Sequence, residues 1–160
     1  MTLRVLVALQ LLAALFAGSA WAAFEDYKPS TLAQVAAIGE NQCTGNAPES
    51  ADFATSREAY KIVATWTGKI RPADATLKGF LGMYARVLSS QHDLVAMFSS
   101  EIEIVAGAKM QWMLVQDVLV PHLQSESTQG RRIQLFVGYI GCMPGRNVIL
   151  INEFDASGNR

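Results

Sequence analysis

Val5 to Phe24 is an uncharged run of 20 residues, and it decides where the rest of the chain must fold. A secretory leader needs a short basic start, an apolar stretch and small residues before the cut. Arg4 supplies the charge, and Val5 to Ala17 supplies the apolar stretch, interrupted only by Gln10. Ala20-Trp21-Ala22 fits the small-x-small rule, because a signal peptidase pocket accepts only small side chains at those two positions. The sequence therefore predicts a signal peptide over 1–22, cut after Ala22. Residue 23 is alanine, not cysteine, which argues against lipoprotein processing. The alternative is an uncleaved anchor, since about 20 apolar residues can span a bilayer. Gly18, Ser19 and the alanines dilute that run, and no basic stop-transfer cluster follows it. Either way the domain is expected outside the cytoplasm, periplasmic or secreted.

Removing 22 of 160 residues leaves 138, which suits one domain. The expected division is a signal peptide at 1–22, a single α+β domain at 23–154 and a polar tail at 155–160. A chain of this size buries roughly two-thirds of its unfolded surface, so it can hold a core without metal staples. Without Arg4, 12 basic residues stand against 14 acidic ones, a net charge of −2. That balance gives no electrostatic footprint for nucleic acid. No second apolar run is long enough to span a membrane. Cys43 and Cys142 are the two cysteines, and an oxidising compartment is expected to join them. Closing so long a loop would stabilise the fold by about 4–5 kcal/mol on the chain-entropy model. No Cys-x-x-Cys is present, so nothing points to thiol exchange.

Residues 30–40 read as a short helix, with Thr31 and Gln34 as a capping box and Gly39 as its end. Asn41 to Asp52 reads as a loop that carries Cys43. Tyr60 to Ile70 alternates with a period of two, a strand signal. Asp74 then caps an amphipathic helix over 74–89, whose apolar stripe is Leu77, Phe80, Leu81, Tyr84, Val87 and Leu88. Leu94 to Phe98 is apolar but too short to type. Glu101 to Ile104 and Met110 to Val115 read as a hairpin turning at Gly107-Ala108. Gln116 to Ser127 suits a short helix with Asp117 as N-cap. Arg131 to Cys142 and Val148 to Phe154 read as two more strands, joined by a type II turn at Met143-Pro144-Gly145-Arg146.

Setting aside the N-terminal helix and treating helix 74–89 as an insertion leaves β-β-β-α-β-β. That is the element order of a small five-stranded OB-like barrel. The expected class is α+β: an OB-like or SH3-like barrel, or else another sheet with helices on one face.

Candidate chemistry is sparse. His92 stands beside Asp93 in a polar loop, and His122 follows Asp117 on a short helix; both read as surface or structural residues. No HExxH and no paired-Cys pattern suggests zinc, and the G-x-S-x-G elbow is absent although Ser89, Ser90, Ser99 and Ser100 lie near His92. Phosphate loops are also missing. Glu101 and Glu103 share a strand face at about 7 Å, from two steps of strand rise. That spacing would suit an inverting glycosidase pair, but alternating glutamates ordinarily form a solvent face. Arg131-Arg132 reads as favourable charge at a helix C-terminus. Trp66, Trp112, Tyr139 and Phe154 fall on strands; Trp112 beside Met113 could make a contact patch. No catalytic, cofactor-binding or metal-ligating residue is expected. The functional expectation is a non-enzymatic exported module that recognises a protein or a cell-envelope ligand. The alternatives are an inhibitor or immunity protein against an envelope hydrolase, and a hydrolytic enzyme built on His92, Asp93, Glu101 and Glu103.

Overall fold

The computed structural model describes residues 27–42, 52–53, 58–88 and 93–157. The predicted leader, Cys43, His92, Ser89 and Ser90 lie outside these residues. Two short strands, β1 (Lys28–Pro29) and β2 (Asp52–Phe53), flank the helix α1 (Leu32–Gln42). The long strand β3 (Ala59–Pro72) leads into α2 (Ala75–Val87) and the single turn α3 (Leu94–Met97). The hairpin β4 (Ser100–Ala106) and β5 (Lys109–Val115) follows. A 3-10 turn (Asp117–Leu119) and α4 (Val120–Glu126) connect it to the last hairpin, β6 (Arg132–Met143) and β7 (Arg146–Asp155).

The strands form one mixed sheet in the order β1-β3-β4-β5-β7-β6-β2, and β3 also pairs with β6. That extra pairing closes β3, β4, β5, β7 and β6 into a ring of five strands. All neighbours in the ring are antiparallel except β5 and β7, which run parallel. The β-β-β-α-β-β order expected from the sequence is present, with α4 between the third and fourth strands of the ring and α2 inserted between the first two.

Two cores hold this arrangement. The first fills the ring with inward side chains at every second strand position: Ile62, Ala64 and Trp66, Ile102 and Ile104, Met113 and Val115, Ile133, Leu135 and Val137, Ile149 and Ile151. Leu32 and Val35 of α1 and Leu123 of α4 join it. The second lies outside the ring. There α2 packs Leu77, Phe80, Leu81 and Tyr84 on the outward residues Leu114, Ile140, Val148 and Leu150. The apolar stripe at i, i+3, i+4 and i+7 thus seats α2 on β5, β7 and β6.

Local chemistry sets the joints. Thr31 and Gln34 form the capping box: Gln34 Oε1 accepts from Thr31 N at 3.0 Å, and Thr31 Oγ1 accepts from Gln34 N at 3.2 Å. Asp74 caps α2 by accepting from Leu77 N at 2.8 Å. Asp117 does not cap α4, contrary to expectation. Its carboxylate instead accepts from Ser99 N at 3.1 Å and Ser99 Oγ at 2.5 Å, tying the start of β4 to the connection after β5. Gly145 takes φ 71°, the left-handed geometry that a type II turn demands at its third position. Arg131-Arg132 lies beyond α4 at the start of β6, so it does not complement a helix end. No helix among the described residues is long and apolar enough to cross a membrane.

Candidate functional site

Alternation along β4 sends Ile102 and Ile104 into the ring and Glu101 and Glu103 out of it. An outward face is ordinarily wet, but here it is not. Glu101 is 0% exposed and Glu103 is 4% exposed. Neighbours on β3 and β5, and the core under α2, account for the difference. Glu101 faces Arg71 across β3 and Leu114 across β5, and Leu114 belongs to the core under α2. Glu103 faces Trp112.

Burying a carboxylate is costly unless it is paired and hydrogen-bonded. Both glutamates are paired. Arg71 Nε donates to Glu101 Oε2 at 3.0 Å, and Arg146 Nη2 donates to Glu101 Oε1. The same Arg146 reaches Asp74, the cap of α2, with Nη1 at 3.7 Å from Oδ2. Lys69 Nζ donates to Glu103 Oε1 at 3.1 Å. Thr67 Oγ1 also donates to the Glu103 carbonyl, at 3.2 Å. Burial, followed by the nearby Arg71 charge, holds the Arg146 guanidinium below its ordinary pKa, while Asp74 opposes that drop.

The backbone explains how these groups meet. Trp66 pairs with Ile104 and Ile70 with Ile102, so β3 spends extra residues opposite β4. Gly68, at φ 84°, sits in this bulge. The two extra residues leave the alternation intact, with Ile70 inside and Arg71 outside, and they set Arg71 opposite Glu101 with Lys69 in reach of Glu103. The Pro144-Gly145 turn delivers Arg146 to the same corner. Arg71 then lies over Trp112, its guanidinium carbon 4.1 Å from the ring centroid. One arginine is thus held from two sides, by a buried carboxylate and by an indole. Among the described residues its two terminal nitrogens meet no partner.

Several expectations need correction here. Glu101 and Glu103 are not a solvent face. They do share one face, as the spacing requires, but cations hold both. Two guanidiniums favour the ionised carboxylate, whereas an inverting pair needs one protonated acid. Met113 is fully buried inside the ring, so the proposed contact patch keeps only Trp112, which is half-buried. Adjacent strand residues point to opposite faces, and the two could not share a surface. Trp66 and Tyr139 are core residues, and Phe154 packs against the same core. His122 is exposed and pairs with Glu126 at 3.1 Å, one turn along α4. Ser99 is bound to Asp117, and Ser100 begins β4. Cys142 is buried on β6 and is not a free thiol. Among the described residues, no group of His, Cys, Asp and Glu could hold a metal ion.

A second cluster lies near β1. Lys28 Nζ donates to Glu58 Oε1 at 2.7 Å, and Tyr60 Oη donates to Glu58 Oε2 at 2.5 Å. The bond from Lys28 leads in holding Glu58 below the usual carboxylate range, aided by the bond from Tyr60. Burial, then the bond to Glu58, pushes Tyr60 up to about 12.

Reasoning from the sequence missed Arg71, Arg146, Lys69 and Asp74 as members of one cluster. Arg71 reads as the end of a strand, Arg146 as part of a turn and Asp74 as a cap. The one usable signal was the pair of glutamates on a strand between two apolar positions. Neither a family model, nor a curated protein, nor a solved structure matches this chain.

Proposed function

We propose that this chain is an exported, non-enzymatic binding domain whose ligand, a protein or a cell-envelope component, docks on the outer face of β3, β4 and β5. The observation that carries this reading is the Arg71–Trp112 pair, fixed on that face by the buried Glu101. A side chain held in place before binding loses little entropy when a ligand arrives. Arginine and tryptophan are also the residues that most often anchor an interface.

The closed order β3-β4-β5-β7-β6, with α4 joining β5 to β6, is best read as an OB-like barrel. Such barrels bind on their second and third strands and on the loops between strands one and two and between four and five. In this chain those are β4 and β5, the connection from β3 to β4 that begins at Ala73-Asp74 and carries α2 and α3, and the Pro144-Gly145 turn with Arg146 at its end. Asp74 and Arg146, from the two loops, converge on Glu101 of β4. The leader at 1–22 would place the domain in the periplasm or outside the cell. A Cys43–Cys142 disulfide belongs to the same reading. Cys142 faces Asn147, and Asn147 Nδ2 donates to the Ala36 carbonyl of α1 at 3.1 Å. The engagement of both glutamates by cations counts against the hydrolase alternative.

Site-specific photocrosslinking in the expressing cell tests this reading. Met110→benzoylphenylalanine lies on the proposed face, and Val118→benzoylphenylalanine is an exposed control away from it. The expected result is a discrete adduct at 110 and none at 118. Adducts at 118 with none at 110 would overturn the assignment of the face.

A further inference from the structure

We infer that the partner on this face is an extended, acidic peptide segment of another protein, added as a strand to the open edge of β5. The inference rests on the binding-domain reading and names its partner class. β5 is paired with β4 along its whole length, Lys109 to Val115, but with β7 only at Leu114 and Val115. Among the described residues, Lys109 to Met113 therefore have no neighbouring strand on the side away from β4.

The hairpin register shows what this edge offers. The two-residue turn Gly107-Ala108 makes Ala106 and Lys109 a pair that exchanges both main-chain hydrogen bonds. Bonded and open pairs then alternate. Gln111 and Met113 turn their main-chain groups to β4, whereas Met110, Trp112 and Leu114 turn theirs away from it. β7 takes up Leu114. The N–H and C=O groups of Met110 and Trp112 meet no partner among the described residues. Natural edges are commonly blunted by a proline, a bulge or a charge. From Met110 to Met113 this edge has none of the three, and Met110 is 63% exposed.

The outer face beside the edge selects the peptide. Alternate side chains of an added strand stand level with Met110 and Trp112. The residue opposite Met110 meets an exposed apolar chain. The residue opposite Trp112 meets the indole with the Arg71 guanidinium over it. Glu101 holds Arg71 through Nε, and the two terminal nitrogens have no partner among the described residues. Such a pair of donors fits a carboxylate with two hydrogen bonds. The recognised segment thus carries an aspartate or glutamate two residues from an apolar side chain. β5 itself holds no acidic residue to repel it.

Other occupants fit less well. A second copy would set β5 against β5 about a two-fold axis. That brings two Arg71 side chains to one seam, donors against donors, and like charges facing across strands are unfavourable. A glycan or a lipid headgroup does not present N–H and C=O groups at the strand repeat, so it cannot use the main-chain bonds that give strand addition its affinity.

Selection from a random heptapeptide phage library, against the protein purified in its exported form, tests the inference. Enriched sequences should hold aspartate or glutamate at one position and an apolar residue two positions away. Selection against Arg71→Gln should lose the acid and keep the apolar residue. The synthetic enriched peptide should bind saturably, and about tenfold more weakly with glutamine in place of the acid. N-methylation of one set of alternate residues should abolish binding, and of the other set should spare it. Met110→Pro removes an N–H that β4 does not use, a change that edge strands tolerate, and should abolish binding. Met110→Val keeps that N–H and should keep the binding. Urea titrations show whether both variants fold, and if Met110→Pro does not, the N-methylated peptides decide. Absence of enrichment, enrichment without the acid, equal effects of the two N-methylated sets, or unchanged binding by folded Met110→Pro each overturns the inference. So does a dimer of the free protein that folded Met110→Pro dissociates, because the edge then belongs to a second copy. A crosslink at position 110 without peptide enrichment removes this inference alone and leaves the binding-domain reading standing.

Discussion

Glu101→Gln isolates the contribution of the buried carboxylate. The substitution keeps the shape of the side chain and removes its charge. Two guanidiniums then lose their partner, and their exposures differ. The Arg71 side chain is 43% exposed, so water can replace much of what it loses. Losing that contact should cost about 1 kcal/mol or less, the range of exposed pairs. Arg146 is 23% exposed and, among the described residues, has Asp74 at 3.7 Å as its remaining anion. Breaking a fully buried pair costs about 3–5 kcal/mol. The partial exposure of Arg146 and the nearby Asp74 reduce its share to about 1.5–2 kcal/mol. The sum is about 2–3 kcal/mol. With an m-value of roughly 2 kcal/mol/M, the urea midpoint should fall by about 1–1.5 M. Glu103→Gln should cost less, about 1 kcal/mol, because its partner Lys69 is 65% exposed. Urea titrations followed by tryptophan fluorescence measure both. A Glu101→Gln midpoint equal to that of the parent, or above that of Glu103→Gln, would refute the reasoning.

Three further outcomes are expected. Gly39→Ala would place a methyl 1.8 Å from Asn147 Oδ1 and 2.7 Å from Tyr139 Oη, so α1 or these side-chain ends must shift. The loss should be about 1–3 kcal/mol, with faster amide exchange confined to α1; unchanged exchange there would contradict the close packing. Asp74→Ala removes the α2 cap and the second anion near Arg146, and should cost about 1–2 kcal/mol in the same urea assay, whereas Asp74→Ser should recover most of the capping share. Absorbance at 295 nm should show one of the four tyrosines titrating late, near pH 12. Because the Tyr60 pKa is raised on folding, its contribution to stability is full below pH 10 and is lost as pH rises toward 12. Tyr60→Phe should remove the late step, and a titration curve that keeps it would assign the step elsewhere.

Much of the architecture was legible in the sequence because it is written in local periodicity. Alternation over Tyr60–Ile70 and Glu101–Ile104 and the helical stripe from Leu77 to Leu88 are short-range patterns. The element order then followed by counting. Cap assignment was less secure. Asp74 behaved as its position implies, but Asp117 was captured by Ser99, 18 residues away. The cluster at Glu101 was not legible at all. Its members are separated by 30 and 45 residues along the chain. Only ring closure and the bulge at Gly68 bring them together. The solvent-face reading of Glu101 and Glu103 failed for the same reason. A strand pattern says which residues leave the core, and it is silent about what packs on the outside.

The central claim is that Arg71 is held on the outer face as a prepared contact. Nitrogen-15 NMR of the arginine side chains reads this directly. The account predicts a resolved Arg71 Nε–Hε signal near neutral pH, slowed in exchange by Glu101 and shifted by the Trp112 ring. The shift should collapse in Trp112→Leu, and the exchange should quicken in Glu101→Gln. An Arg71 Hε signal at the position of a free arginine, unchanged by either substitution, would contradict the claim.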